Sequence, residues 1–509
     1  MLERRAVTTL ALALLLGVTC QYLFYGQALG LNFPLATALF LAAAWTLRAP
    51  GIQLRPIDLW IPASALAFAA FVSVRADAPL IFFDVVATLA LCGGAVVVFG
   101  GVPVSTLALR RIMGEALSLI GRLFAGVFNA IERAWPVVRR LSPRMARASG
   151  PLGGVLLAAP FVVVFAVLFS SADVVFARAL ERVIDARRLL ELLGEAPGRL
   201  TVAGIVAWAA TGALWTMSRA PRDDTGGSAA SVLGADTATV ALLMIDALFA
   251  VFVVLQLAYL FGGRDTLDAA AITYSAYARR GFFELIAVVS LVGGLLVGLE
   301  LLVRGRGRPT DGAAQPLQKA GAVGGGYVVA AVVLLLLTGA VLVSAYYRLD
   351  LYQRAYGWSE LRFYAFAAIA FLAVALAIFV WSVLRARMAF VAPPLVAAAV
   401  AVGLCVNAIG PSGHIARANL ARVMDPTGLP DDAQRSLDVW ALWSLGDGAA
   451  PDIVARYDAV PEGDRRRAFD VLHAYTRRRD LSRAPDWRAW NLDRERARAA
   501  LAEWERVPR

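Results

Sequence analysis

The feature that most constrains this chain is a succession of long apolar runs. Most reach roughly 18 residues or more, the length a helix needs to cross a hydrocarbon core of about 30 Å. They read as Met1–Tyr25, Phe33–Leu47, Ile57–Val74, Pro79–Phe99, Leu152–Phe176, Leu200–Met217, Thr237–Phe261, Phe282–Val303, Gly325–Ala345, Leu361–Leu384 and Val391–Ile409. A chain that is 59% hydrophobic over 509 residues cannot be a soluble globule. The expected fold is an all-α, polytopic transmembrane helical bundle of about 11 spans, followed by a small C-terminal α-helical extramembrane domain. Phe33–Leu47 is the shortest of these runs. Met1–Tyr25 begins with Arg4 and Arg5 and lacks a small-residue cleavage site, so it reads as an uncleaved first span.

The connections between the runs set an orientation. Arg4 and Arg5, Arg48 and Arg55, the 102–150 segment, Arg219 and Arg222, Arg304 to Lys319, and Arg385 and Arg387 fall on one side, almost unopposed by acid. By the positive-inside rule that side is cytoplasmic. The N-terminus is then cytoplasmic and the residues after Gly410 extracytoplasmic. The formal charge of +11 resides mainly in these connections. It fits anionic lipid rather than a nucleic-acid groove, so the lipid bilayer is the expected partner, with no nucleic acid.

Four regions follow. Residues 1–100 form N-terminal transmembrane helices. In 101–150, Ile112, Leu117, Ile120, Phe124, Phe128, Ile131 and Trp135 recur at helical spacing among Arg111, Glu115, Arg122 and Arg133. That is a basic amphipathic helix, suited either to the inner headgroup region or to the protein's own cytoplasmic face. Residues 151–410 form the main transmembrane domain. In 411–509 hydropathy falls, prolines punctuate a helical pattern, and Trp440, Trp443, Trp487, Trp490 and Trp504 supply bulk for a small core or for docking on the membrane face.

Chemistry concentrates at few places. Charges inside spans are expensive and mark candidate functional residues: Asp84, Asp173, Asp246, Glu284 and Glu300, the last one turn before Arg304 and read as its partner at the inner boundary. Tyr277, Gly281 and Glu284 share a helical face beside Arg279; the alternative is a plain interfacial anchor. Tyr346 to Tyr364 reads as one short outer connection crowded with tyrosines and with Arg348, Asp350, Arg354, Glu360 and Arg362. His414, Arg417 and Asn419 follow the last span, and a lone histidine there is either passive or a pH-sensitive group. Together with Asp173, these residues are expected to gather around one outward-facing polar cavity. No zinc spacing, nucleotide loop or hydrolase elbow is present, so no metal and no cofactor is expected. Cys20, Cys92 and Cys405 all lie in apolar runs, which excludes a disulfide framework.

YSAYARRGFFELIAV, YRLDLYQRAYGWSELRFYAF, GHIARANLAR, FSSADVVF and DWRAWNLDRERARAAL together resemble a bacterial family of polytopic membrane proteins known only as a domain of unknown function, of the 4153/4173 type. The resemblance runs from about Pro151 to the end, with Ala276 and Trp358-Ser359 departing from the usual pattern. It implies a bacterial inner-membrane location and carries no reaction with it. Three functions remain in order: a non-enzymatic scaffold or signalling partner engaging another envelope protein; a transporter with a site near Asp246; and a membrane enzyme acting on a lipid-linked or envelope substrate at the outer face.

Overall fold

A computed structural model describes residues 2–48, 52–104, 196–216, 235–261, 282–303, 325–427, 436–478 and 486–506, with isolated positions 130, 133, 136 and 429. Every regular element among them is a helix. The apolar runs become α1 (Leu2–Phe24), α2 (Asn32–Thr46), α3 (Trp60–Val72), α4 (Ala78–Phe99), α5 (Ala196–Thr216), α6 (Ala235–Phe261), α7 (Phe282–Val303), α8 (Gly325–Tyr356), α9 (Glu360–Leu384) and α10 (Ala392–Ile409). The C-terminal helices are α11 (Pro411–Met424), α12 (Val439–Ser444), α13 (Ala450–Arg456), α14 (Glu462–Arg478) and α15 (Leu492–Arg506).

Among the described residues, α1, α4, α8, α9 and α10 are long and apolar enough to cross a membrane, while α2, α3 and parts of α6 and α7 are shorter apolar helices. The expected Leu152–Phe176 span and most of the amphipathic 101–150 segment lie outside the described residues. Large apolar side chains stand exposed on the helix surfaces, as on α4 (Phe82, Phe83, Val86, Leu89) and α6 (Leu243, Met244, Leu248, Val251). Contiguous exposed apolar surface of this kind suits lipid rather than water.

One expectation needs correction. Tyr346 to Tyr364 is not a single connection, because α8 continues through Tyr356 and only Gly357 to Ser359 links it to α9. Ala345, Arg348, Leu349 and Ala355 recur at helical spacing and are buried, so packing carries the helix past the point where hydropathy falls.

The bundle has two packed groups. In the first, Ala13 and Leu16 of α1, Phe68 of α3, Leu91 and Ala95 of α4, and Ala210 and Leu214 of α5 share one core. In the second, Leu242 of α6, Leu296 of α7, Leu334 of α8 and Phe379 of α9 do the same. Helix α10 joins them: Val400 and Leu404 pack on the first core, where Gly403 admits the rings of Phe68 and Phe83, and Leu395 packs on the second. The α1–α5 contact is very close, since a Cβ at Gly17 would stand 2.3 Å from the Ala203 carbonyl oxygen and 2.8 Å from the Ala207 methyl. Small residues four apart permit such an approach. Gly17→Leu is therefore expected to destabilise the purified protein by about 1–3 kcal/mol through overpacking, read as a lowered Tm. An unchanged Tm would mean that α1 and α5 do not meet here.

The C-terminal helices do not keep a core to themselves. Ile415, Leu420, Leu442, Ile453, Val471, Leu472, Leu501 and Trp504 cluster with Leu80 of α4, Phe363 of α9 and Val406 of α10. Of the five tryptophans expected to supply a small core or to dock on the membrane face, Trp504 is buried, whereas Trp440 and Trp487 are 73% and 52% exposed. Aliphatic residues fill most of the interior, Trp443 packs against it, and Trp440 stacks on Trp443 at its edge.

Candidate functional site

The C-terminal helices meet the bundle at four turns. At the α8–α9 turn, Gly357 takes a left-handed conformation (φ +76°) that leaves its missing Cβ facing the Asn419 side chain. Asn419 then satisfies both backbone groups of Trp358: its Oδ1 accepts from the amide at 2.7 Å and its Nδ2 donates to the carbonyl at 2.8 Å. Arg422 donates to the carbonyls of Arg354 and Ala355, closing the C-terminal end of α8. Arg362 donates to the carbonyls of Tyr356 and Gly357 and lies over the Tyr352 ring at 4.2 Å. His414 packs edge-on against Trp358, 5.3 Å between ring centres. Burial, reinforced by Arg417, holds its pKa below the ordinary imidazole value.

Between these elements lies a cavity of about 200 Å³, lined in part by Tyr356, Trp358, Ser359, Arg362, Asn419 and Arg422. Burial lowers the Arg422 pKa, and the neighbouring Arg362 charge lowers it further. Asp438 lines the same cavity, and both guanidinium groups are already engaged by backbone carbonyls of the α8–α9 turn.

The α3–α4 turn forms the second contact. Asn491, only 2% exposed, donates to the carbonyls of Val72 and Arg75. The amides of Leu492 and Asp493 donate to the carbonyls of Ser73 and Val74. Arg75 donates to the carbonyls of Asn407 and Ala408 at the end of α10 and stands 3.8 Å from the Asp493 carboxylate. That end of α10 is the third contact. Gly410, at φ +70°, turns the chain into α11 and leaves the space that the Arg75 guanidinium fills. At the fourth, the α1–α2 turn, Leu31 donates to the Trp490 carbonyl, Arg494 to that of Leu29 and Arg488 to that of Tyr22.

Several expected site residues thus converge: Arg354, Glu360, Arg362, His414 and Asn419 lie at or beside the α8–α9 turn. Others do not join them. Arg417 pairs with Asp452 of α13 at 2.8 Å, Asp350 pairs locally with Arg354, and Arg348 is buried within α8. Asp84 is fully buried on α4 against Asn407, and Asp246 is buried on α6. Asp173, Tyr277 and Arg279 lie outside the described residues, as do the side chains of Glu284 and Glu300. Among the described residues no group of three acidic, histidine or cysteine side chains could hold a metal ion.

The sequence reading missed Arg75, Asp77, Asn491 and Asp493. Asp77 had a local signal, since an acidic residue before Ala78-Pro79 marks a helix start. Asn491 and Asp493 stood inside DWRAWNLDRERARAAL, with nothing local to show what they hold.

The family described as "Domain of unknown function (DUF4153)" matches residues 62–455. The chain belongs to that family. The matched stretch starts well before Pro151, where the motif resemblance begins, and takes in most of α3, all of α4 and both ends of the Arg75–Asn407 contact. It stops short of 486–501, so the segment that grips the α3–α4 turn falls beyond it. No curated protein and no solved structure matches the chain.

Proposed function

We propose that this member of the family is a non-enzymatic scaffold or signalling partner of the bacterial envelope. It sits in the inner membrane with its N-terminus cytoplasmic and its C-terminal helices outside. The observation that carries the reading is the attachment of those helices. They tie the α1–α2 and α3–α4 turns of the first helix group to the α8–α9 turn of the second, through backbone and buried side-chain hydrogen bonds. A unit held at three turns besides its own chain connection to α10 presents a fixed surface to a partner rather than a tethered, wandering one. The charge pattern supports the orientation. Arg5 donates to the Arg48 carbonyl at the start of α1, so that arginine-rich end is opposite the α1–α2 turn gripped by the C-terminal helices.

Two measurements test this. In a background lacking Cys20, Cys92 and Cys405, a cysteine at Glu503 is expected to react with an impermeant maleimide in intact cells, and one at Arg385 is not. A photo-crosslinking residue at exposed Trp440 is expected to give a discrete protein adduct in cells. Labelling at Arg385 alone would reverse the orientation, and absence of any discrete adduct would remove the scaffold reading. A transporter is the second reading, favoured by Asp246: it is 6% exposed on a lipid-facing helix, with no hydrogen-bond partner for either carboxylate oxygen among the described residues.

A further inference from the structure

Helix α4 has two opposed faces. Phe82, Phe83, Val86 and Leu89 are exposed toward lipid, whereas Asp84 and Thr88 are 0% and 1% exposed. Asp77, the residue before the helix, is 3% exposed. These three lie seven and four residues apart, so they line one face and reach about 16 Å down the helix at 1.5 Å per residue. Leu80 of α4 packs with Phe363 of α9 and Val406 of α10, which brings the three helices together at this depth. Asn407 of α10, 0% exposed, donates through Nδ2 to Asp84 Oδ1 at 2.7 Å and to the Gly403 carbonyl at 3.1 Å. Asp77, Glu360 and Asp84 all lie within electrostatic reach of the Tyr364 hydroxyl on α9.

Five buried polar atoms on α4, α9, α10 and the turn before α4 have no partner among the described residues: Asp77 Oδ1, Asp84 Oδ2, Thr88 Oγ1, Asn407 Oδ1 and the Tyr364 hydroxyl. Buried polar atoms are almost always satisfied, so each such exception calls for an explanation. A bare carboxylate at this depth is expensive, and the Asn407 amide satisfies one of its two oxygens only.

We propose that Asp84 is a proton-binding site, its proton arriving as hydronium from the end of the bundle that carries the C-terminal helices, by way of Asp77 and Tyr364. One O–H bond of hydronium breaks as the bond to Asp84 Oδ2 forms, water is left at the entrance, and release reverses the step. A metal cation fits poorly, because it needs several oxygens converging on one point, and the described acidic side chains offer no such set. The Arg75 charge, which acts on both Asp77 and Asp84, opposes a metal ion as well. The ionisable groups around Asp84 and Asp77 are Arg75 before α4, Glu360 and Tyr364 of α9, and Asp493 of α15; α10 presents the amide of Asn407. The proposal stands apart from the scaffold reading, since a scaffold and a transporter can each carry a proton site.

The test uses the full-length protein in lipid nanodiscs, treated with dicyclohexylcarbodiimide. That reagent adds to a protonated carboxylic acid in apolar surroundings and leaves an N-acylurea, which peptide mass mapping locates. The expected result is an adduct on Asp84 whose rate falls roughly tenfold per pH unit once the site loses its proton. Asp84→Asn is expected to lose that adduct and to lose a protonated-carboxyl infrared band that disappears as pH rises. If Asp84→Asn fails to fold, mapping and the pH profile of the unaltered protein still decide. No adduct at Asp84 at any pH, or one whose rate ignores pH, overturns the proposal.

Discussion

Gly30→Val is expected to detach the C-terminal helices from the α1–α2 turn. A Cβ at Gly30 would stand 2.5 Å from the Trp490 carbonyl oxygen and 2.6 Å from the Ala489 carbonyl carbon. Both are backbone atoms, so no rotamer change relieves the clash. The turn cannot retreat either. Asn32, 0% exposed, accepts from the Gly30 amide and donates to the carbonyls of Leu23 and Ala28, locking the turn to the end of α1. Relief therefore requires moving 489–490 outward, which breaks the bonds from Leu31 to Trp490 and from Arg494 to Leu29. Overpacking and the lost hydrogen bonds together amount to about 3–5 kcal/mol. In hydrogen–deuterium exchange the Leu492 and Asp493 amides, which donate to Ser73 and Val74, are expected to exchange at least about a hundredfold faster. Unchanged protection of those amides would show that the α3–α4 contact holds the tail without help from Gly30.

The contrast between what was legible in the sequence and what was not has a physical basis. Pro79–Phe99 and Leu361–Leu384 emerged within a residue of the observed α4 and α9, because Pro, Gly and charge bound those runs on both sides. The true end of α8 was hidden, because hydropathy reads Arg348 and Asp350 as a boundary while the backbone reads only helical spacing and packing. Asp84 announced itself as a charge among apolar neighbours. Its partner Asn407 did not, since an asparagine near the end of a span is unremarkable until the fold sets it 2.7 Å from a carboxylate 323 positions away. The same holds for Arg75, which finds its partners 332 positions along the chain. For His414 the sequence leaves a passive and a pH-sensitive role open, and the structure packs its ring against Trp358 and Phe363.

The attachment of the C-terminal helices is expected to weaken as pH rises. Asp77 sits between the bundle and α15, and burial pushes its carboxyl up to about 7, with Asp493 and Glu360 adding to the shift and Arg75 opposing it. Asp493 is also raised, again chiefly by burial, with Arg75 opposing. Once α15 departs, both groups meet water and return to the ordinary carboxylate range of about 4. The docked state therefore binds more protons than the undocked one between about pH 4 and about pH 7. Stability is fully present below the ordinary carboxylate value, declines as pH climbs through that window, and levels off above the docked value. For Asp77 the span of the effect is roughly 4 kcal/mol at most. Asp77→Asn removes the ionising group while keeping its shape. It is expected to raise the Tm at about pH 8 relative to the unaltered protein and to flatten the decline between about pH 5 and about pH 8, leaving a smaller slope of the same sign from Asp493. A Tm that rises with pH across that window in the unaltered protein, or a slope untouched by Asp77→Asn, would show that the carboxyl of Asp77 does not stay buried against α15.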